Sequence, residues 1–325
     1  MGVALIASPA VQGALVEAMN MKTRFIPLLV ASLAALSPVA RAQVSITFDY
    51  SLDSSGFFGN SAARAVLDSA ASALQSRLAD TLDAISPGGG NSWSANFANP
   101  ATGTQTSVTD LNVPANTLII YVGAHNLGGS TLGQGGFGGF SGGGSQAWID
   151  TLSARGESGA PSSEFGPWGG SIAFNDTAAW YFDSNPSTVE SFSGNDFYSV
   201  ALHELGHVLG IGTAQSWDNL ITGGNFTGAV SMSLNGGPVP LTVDGGHWAN
   251  GLTSTLPGTA TGQEPAMDPD LTVGTRKFFT DLDFGGLDDL GWDVTPVPEP
   301  QTYALVAGLG LLVFALCRRR AAALN

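Results

Sequence analysis

The sequence predicts an α+β fold, and three features carry the prediction. Strand-like runs recur through the first half, either alternating (Val44, Ile46, Phe48, Tyr50) or continuously apolar, as in Thr117–Val122, TLIIYV. Two stretches, Ser61–Ile85 and the one beginning near Phe197, instead carry apolar residues at helical spacing. From Ser216 to Pro257 no periodicity is clear, which predicts an irregular C-terminal part.

In chain order, the Val44–Tyr50 strand is followed by a Gly/Ser/Asp loop over residues 51–60. Val66, Leu67, Ala70, Leu74, Leu78, Leu82 and Ile85 then define one helical face, and Pro87 with Gly88–Gly90 ends it. A strand near Trp93–Phe97 precedes the buried strand at Thr117–Val122. Gly128–Gly144 lacks the Gly-Lys-Ser/Thr ending of a phosphate cradle, which excludes nucleotide binding. It reads as a flexible surface loop, with shaping of a cleft as the alternative. Trp168–Phe174 and Trp180–Asp183 read as two short strands about a tight connection. The Gly169-Gly170 entry suits an edge strand there, so that Ile172, Ala173 and Phe174 can pair with an extended peptide; an ordinary hairpin is the alternative. Asn195 or Asp196 caps the next helix, whose Phe197, Ala201, Leu205 and Val208 face the core. Gly210 and Gly212 stop it. Glu264–Pro269 is a Pro-bounded turn, and Thr280-Asp281-Leu282-Asp283 caps a short helix ending at Gly291-Trp292.

The chain is 325 residues with a net charge of −15, and its acidic residues are spread rather than gathered in a tail. No basic patch exists to neutralise phosphates, which argues against nucleic acid as a partner. Only 11% of residues are charged and 44 are glycine, a composition that suits a compact, loop-rich exported protein. Calcium binding by the acidic loops is conceivable, but no motif supports it. Both ends read as addresses. Lys22 and Arg24, the apolar run Phe25–Ala40 and Ala40-Arg41-Ala42 form a signal peptide over residues 1–42, with a mature start at Gln43 and an over-long start before Met19 or Met21. Val297-Pro298-Glu299-Pro300, apolar Tyr303–Leu316 and Arg318-Arg319-Arg320 resemble the PEP-CTERM sorting tail of Gram-negative bacteria, here residues 295–325. That resemblance implies a short transmembrane helix, transient membrane anchoring, and cleavage near the box by an exosortase-type enzyme, with release to the cell surface or medium. The single cysteine, Cys317, lies in that tail, so the exported domain has neither disulfide nor thiol.

The stretch Val200–Thr213, VALHELGHVLGIGT, carries the chemistry. His203 and His207 lie one turn apart on one helix face and can close on one zinc ion. Glu204 points beside that ion, where it can take a proton from a water activated by the metal. Together with the Met267 turn, Ala266-Met267-Asp268, the HExxHxxG segment ending at Gly210 resembles the metzincin metalloproteases. The resemblance spans most of Val44–Trp292, but only the HExxHxxG segment is highly specific. It implies a mixed twisted sheet with two helices, forming an upper lobe over residues 43–210. An irregular lower lobe, residues 211–294, would be closed by a Met-turn and a short helix. Met267 would floor the site as apolar packing.

One departure stands out. Thr213 occupies the position of the family's third ligand, and a neutral threonine is a poor zinc ligand. His247, in Gly245-Gly246-His247-Trp248, follows the order of the leishmanolysin-like branch, whose third histidine is displaced by an insertion and followed by tryptophan. Asp218 and Glu264 are carboxylate alternatives, and His125 reads as a loop or cleft histidine. No tyrosine lies between Met267 and Tyr303, so a Met-turn tyrosine cannot stabilise an oxyanion. The expected function is a secreted zinc endopeptidase acting on protein or peptide substrates, with Glu204 as general base. A non-catalytic surface or matrix protein stapled by zinc, or hydrolysis of a non-peptide amide, is the alternative.

Overall fold

A computed structural model describes residues 43–183, 185–188 and 190–297, together with Gly308. The expected signal peptide, and all but Gly308 of the expected apolar span of the tail, lie outside the described residues. Among the described residues no helix is long and apolar enough to cross a membrane.

The elements that build the site are β1 (Ser45–Asp49), α1 (Ser61–Gln75), β2 (Ser92–Ala98), β3 (Gln105–Thr109), β4 (Thr117–His125), β5 (Gly133–Phe137), β6 (Gly139–Gly143), α2 (Gln146–Ala154), β7 (Gly169–Asn175) and α3 (Phe197–Val208). After them come α4 (Gln215–Asp218), α5 (Ala229–Asn235) and α6 (Asp281–Asp289), joined by two-residue strands and turns. The result is α+β with open sheets, compatible with a metzincin-like arrangement.

The main sheet has the order β1-β4-β7-β5, with β1, β4 and β7 parallel and β5 antiparallel to β7. β4 is apolar from Leu118 to Ala124 because both of its faces are covered there. Leu118, Ile120, Val122 and Ala124 join the core shared with α1 and α3, which includes Val66, Leu67, Leu74, Ala201 and Leu205. Tyr121 points the other way, into a second cluster with Trp93, Phe97, Trp148 and Trp168. That second cluster is roofed by the antiparallel sheet β3-β2-β6.

Three sequence expectations are corrected. The first helix stops at Gln75 rather than continuing to Ile85. Leu78, Leu82 and Ile85 are still buried, but the backbone there bonds to other segments: Leu78 bridges to Val294, Ile85 to Val113, and Leu82 N–H donates to the Asn116 side chain. Apolar spacing persisted beyond the point where tertiary partners replaced the helical ladder. Second, the glycine-rich run is not a surface loop. It supplies β5 and β6, a chain that leaves one sheet at Gly138 and enters the other. Third, β7 is not an edge. Ile172, Ala173 and Phe174 lie between β4 and β5 with every position of the strand buried, so they have no free edge to offer a peptide. Nor does β7 form a hairpin with Trp180-Tyr181, which pairs with Asn195-Asp196. The edge strands are β1 and β5, and β5 is the one that borders α3.

Candidate metal centre

α3 begins at Asp196, whose side chain accepts from Ser199 N–H and caps the helix. The same carboxylate takes two bonds from Arg276, at 3.0 and 2.9 Å, while Arg276 also binds Asp183 at 2.7 Å. The helix ends where Gly210 takes φ +105°, a conformation that would strain any side chain. Ile211 is thereby turned back, and its carbonyl accepts from His207 Nδ1 at 2.8 Å.

His203 Nδ1 is likewise 2.8 Å from the Ala266 carbonyl, in the turn before Met267. A carbonyl can only accept, so both rings carry their proton on Nδ1 and present a bare Nε2. Those Nε2 atoms are 3.1 Å apart, and His247 Nε2 lies 3.1 Å from that of His207. His203, His207 and His247 are the group of His, Cys, Asp and Glu side chains among the described residues whose ligand atoms converge closely enough for a metal ion. Burial depresses all three imidazoles, His203 well below its usual value and His207 to about 4, so none carries a compensating proton near neutrality.

Lone pairs this close repel unless a cation sits between them. The edge of a zinc tetrahedron with nitrogen ligands is about 3.3 Å, so the spacing fits that ion. On this observation the three histidines could hold zinc. Thr213 instead donates to the His207 carbonyl at 2.7 Å. Asp218 is exposed on α4, Glu264 pairs with Lys277 at 3.1 Å, and His125 Nδ1 lies 2.9 Å from the Pro100 carbonyl; none of them joins the cluster. His247 Nδ1 faces Asp244 at 4.0 Å. The Met267 side chain is fully buried, and Gly206 leaves the room it fills: a Cβ there would come within 2.3 Å of Met267 Sδ.

Glu204 is 5% exposed and has no basic partner among the described residues. Burial pushes its carboxyl up to about 8, against the backbone N–H of Gly135. The contact with β5 is intimate. A Cβ on Gly133 would lie 2.5 Å from Glu204 Oε1, and one on Gly135 would lie 2.4 Å from the Glu204 carbonyl oxygen. Residues two apart on a strand share a face, so both glycines are turned to α3. Sequence reasoning missed them, although their i, i+2 spacing was visible.

A cleft of about 730 Å³ opens over this group. One wall is Ser130–Gly135 with the β5 edge; the other runs from Ala266 through Asp268–Thr272 to Lys277. Lys277 is buried there, its Nζ 3.0 Å from Asp268 Oδ1 and 2.6 Å from the Asp270 carbonyl.

Residues 144–223 match the family model described as Matrixin, and residues 296–320 match the PEP-CTERM protein-sorting motif. The first match covers α2 through α4, including His203, Glu204 and His207, and stops short of His247. No curated protein and no solved structure matches the chain.

Proposed function

We propose that the chain is an exported zinc endopeptidase, with His203, His207 and His247 as ligands and Glu204 as general base. The observation that carries this reading is the convergence of three Nε2 atoms, those of His203 and His207 unprotonated, beside a buried carboxylate with no cation of its own among the described residues. The matrixin match suggests a zinc metallopeptidase independently of that geometry. When bound, zinc supplies Lewis acidity that polarises a carbonyl and makes water more acidic. Glu204 accepts the proton released as water attacks and returns it to the departing amine. The outer side of β5, beside which no further strand lies among the described residues, accepts an extended peptide by strand addition, the role expected of Ile172–Phe174 from the sequence. A structural zinc site has no use for Glu204 at this position, which favours catalysis over the stapled-protein alternative.

His247 makes this the displaced-histidine form, as in the leishmanolysin-like branch. In our reading residues 1–42 are removed on export, residues 43–210 and 211–294 form the two sides of the cleft, and residues 295–325 anchor the chain until an exosortase-type enzyme cuts near the sorting motif. The motif match supports that address in a Gram-negative bacterium, with release to the cell surface or beyond.

The test is metal analysis and digestion of an unstructured protein substrate. Glu204→Gln is expected to keep one zinc and to lose about 10²-fold or more in activity. His247→Ala is expected to lose the zinc. Wild-type-like digestion by the Glu204 variant sinks the enzymatic reading; a His247 variant that retains metal and activity sinks the third ligand.

A further inference from the structure

Asp283 is fully buried at the third position of α6, with no cation paired to it among the described residues. Its carboxylate instead gathers five donors. Oδ2 accepts from Thr280 N–H at 2.8 Å, one half of the capping box whose other half is Asp283 N–H donating to Thr280 Oγ1, and from Thr280 Oγ1 itself at 2.9 Å. The other three leave the helix. Oδ2 also accepts from Ala266 N–H at 2.8 Å, while Oδ1 accepts from Met267 N–H at 3.1 Å and from the Trp248 indole at 2.9 Å.

Those three donors sit at the metal centre. Trp248 directly follows His247, and its own N–H donates to the Met267 carbonyl at 3.2 Å. Ala266 presents the carbonyl that fixes the His203 ring. Neither segment belongs to a long helix or strand; Trp248 has only an isolated antiparallel bridge to Leu241. A carboxylate, with acceptor sites on both oxygens, is the side chain that can satisfy this set of donors at once.

We propose that Asp283 is a positioning residue for the metal centre, tying His247 through Trp248 and His203 through Ala266 into one rigid unit. The proposal rests on the reading of the three histidines as metal ligands. In it Asp283 touches neither metal nor substrate, and it sets the approach of two ligands that lie 44 residues apart in sequence (247 less 203). An asparagine at this position would turn an NH2 group toward backbone N–H donors, leaving buried donors unpaired.

The experiment loads the protein with Co2+ in place of zinc and follows visible absorption, which reports ligand geometry, and Co2+ affinity. Wild type is expected to give the intense bands of a four-coordinate site. Asp283→Asn is expected to bind Co2+ about 10- to 100-fold more weakly, with altered bands. Trp248→Phe removes the indole donor, and with it part of a buried ring, and is expected to show a smaller shift in the same direction; it keeps the proposal testable should the Asp283 variant fail to fold. Thr280→Ala removes the capping hydroxyl and one of the five donors to Asp283 but leaves the three bonds to the Trp248 and Ala266-Met267 segments; it is expected to lower thermal stability and to shift the spectrum less than either of the other variants. Spectra and affinities like wild type in both the Asp283 and Trp248 variants would reduce Asp283 to a helix cap and overturn the proposal. A wild-type protein that gives no Co2+ spectrum overturns the metal reading itself, and the positioning role with it.

Discussion

Glu204 shows how a single side chain can depend on a strand that has no side chain at the positions facing it, Gly133 and Gly135. Its carboxylate occupies the space that a Cβ on Gly133 would need. Gly133→Ala should therefore push the base aside while leaving the three imidazoles alone, since they are held from Ala266, Ile211 and the His247 loop. The expected outcome is full zinc occupancy with activity lower by about 10²-fold, the scale of a lost general base; metal analysis alongside kcat/KM checks it. Reduced zinc in that variant would mean that β5 supports the ligands as well. Gly136 meets nothing within 4 Å of its Cβ position and provides the tolerant control on the same strand.

At the scale of the element, α3 is anchored at its start by electrostatics and at its end by backbone geometry. Asp196 serves as N-cap and as the fully buried partner of Arg276. These roles differ in size: a lost cap costs about 1 kcal/mol, whereas stranding one member of a buried ion pair costs about 3–5 kcal/mol. Asp196→Ser keeps a capping oxygen and removes the charge. Because Asp183 still pairs with Arg276, a loss near the lower end, about 3 kcal/mol, is expected in urea denaturation. A loss below about 1 kcal/mol would show that the cap dominates. The first helix teaches a different lesson. The apolar spacing from Val66 to Ile85 looked like one element, but only the part up to Gln75 is helical. Burial sets spacing, and an extended segment can bury residues four apart as readily as a helix when its hydrogen bonds go elsewhere.

For the whole molecule, the segment after α6 returns to the segment after α1, and carboxylates meet there. Asp293 N–H donates to Asp80 Oδ1 at 3.0 Å, and Ala79 N–H donates to the Asp293 carbonyl at 3.0 Å. Burial, reinforced by neighbouring acids, raises Asp80 to about 6 and Glu157 to about 7. Carboxyls whose pKa rises on folding hold more protons in the folded chain than in the unfolded one. Their contribution is fully present below the unfolded values of 3.8 and 4.5, and it is lost as pH rises through about 6 and about 7. Thermal stability should thus fall across that window on their account. Asp80→Asn should flatten the fall and raise Tm near neutrality by a few degrees. An unchanged slope in a pH series of melts would count against this source of acid preference.

The sequence by itself determined what local geometry controls. An HExxH segment on a helix places His203 and His207 one turn apart whatever surrounds them, and the Gly210 stop, the Asp196 cap and the Thr280–Asp283 cap are equally local. The composition of Val44–Tyr50 and Thr117–Val122 likewise fixed two neighbouring strands. Only the tertiary structure decided the rest. His247 reaches the other two imidazoles through a loop whose next residue, Trp248, bonds to Asp283 and to the Met267 turn, both distant in sequence. The sheet edge fell to Gly133–Phe137 rather than Gly169–Asn175, since strand order is a matter of long-range pairing and both runs offered glycine. Hydrophobic pattern could not reveal β5, because its role is to have no side chain where α3 approaches.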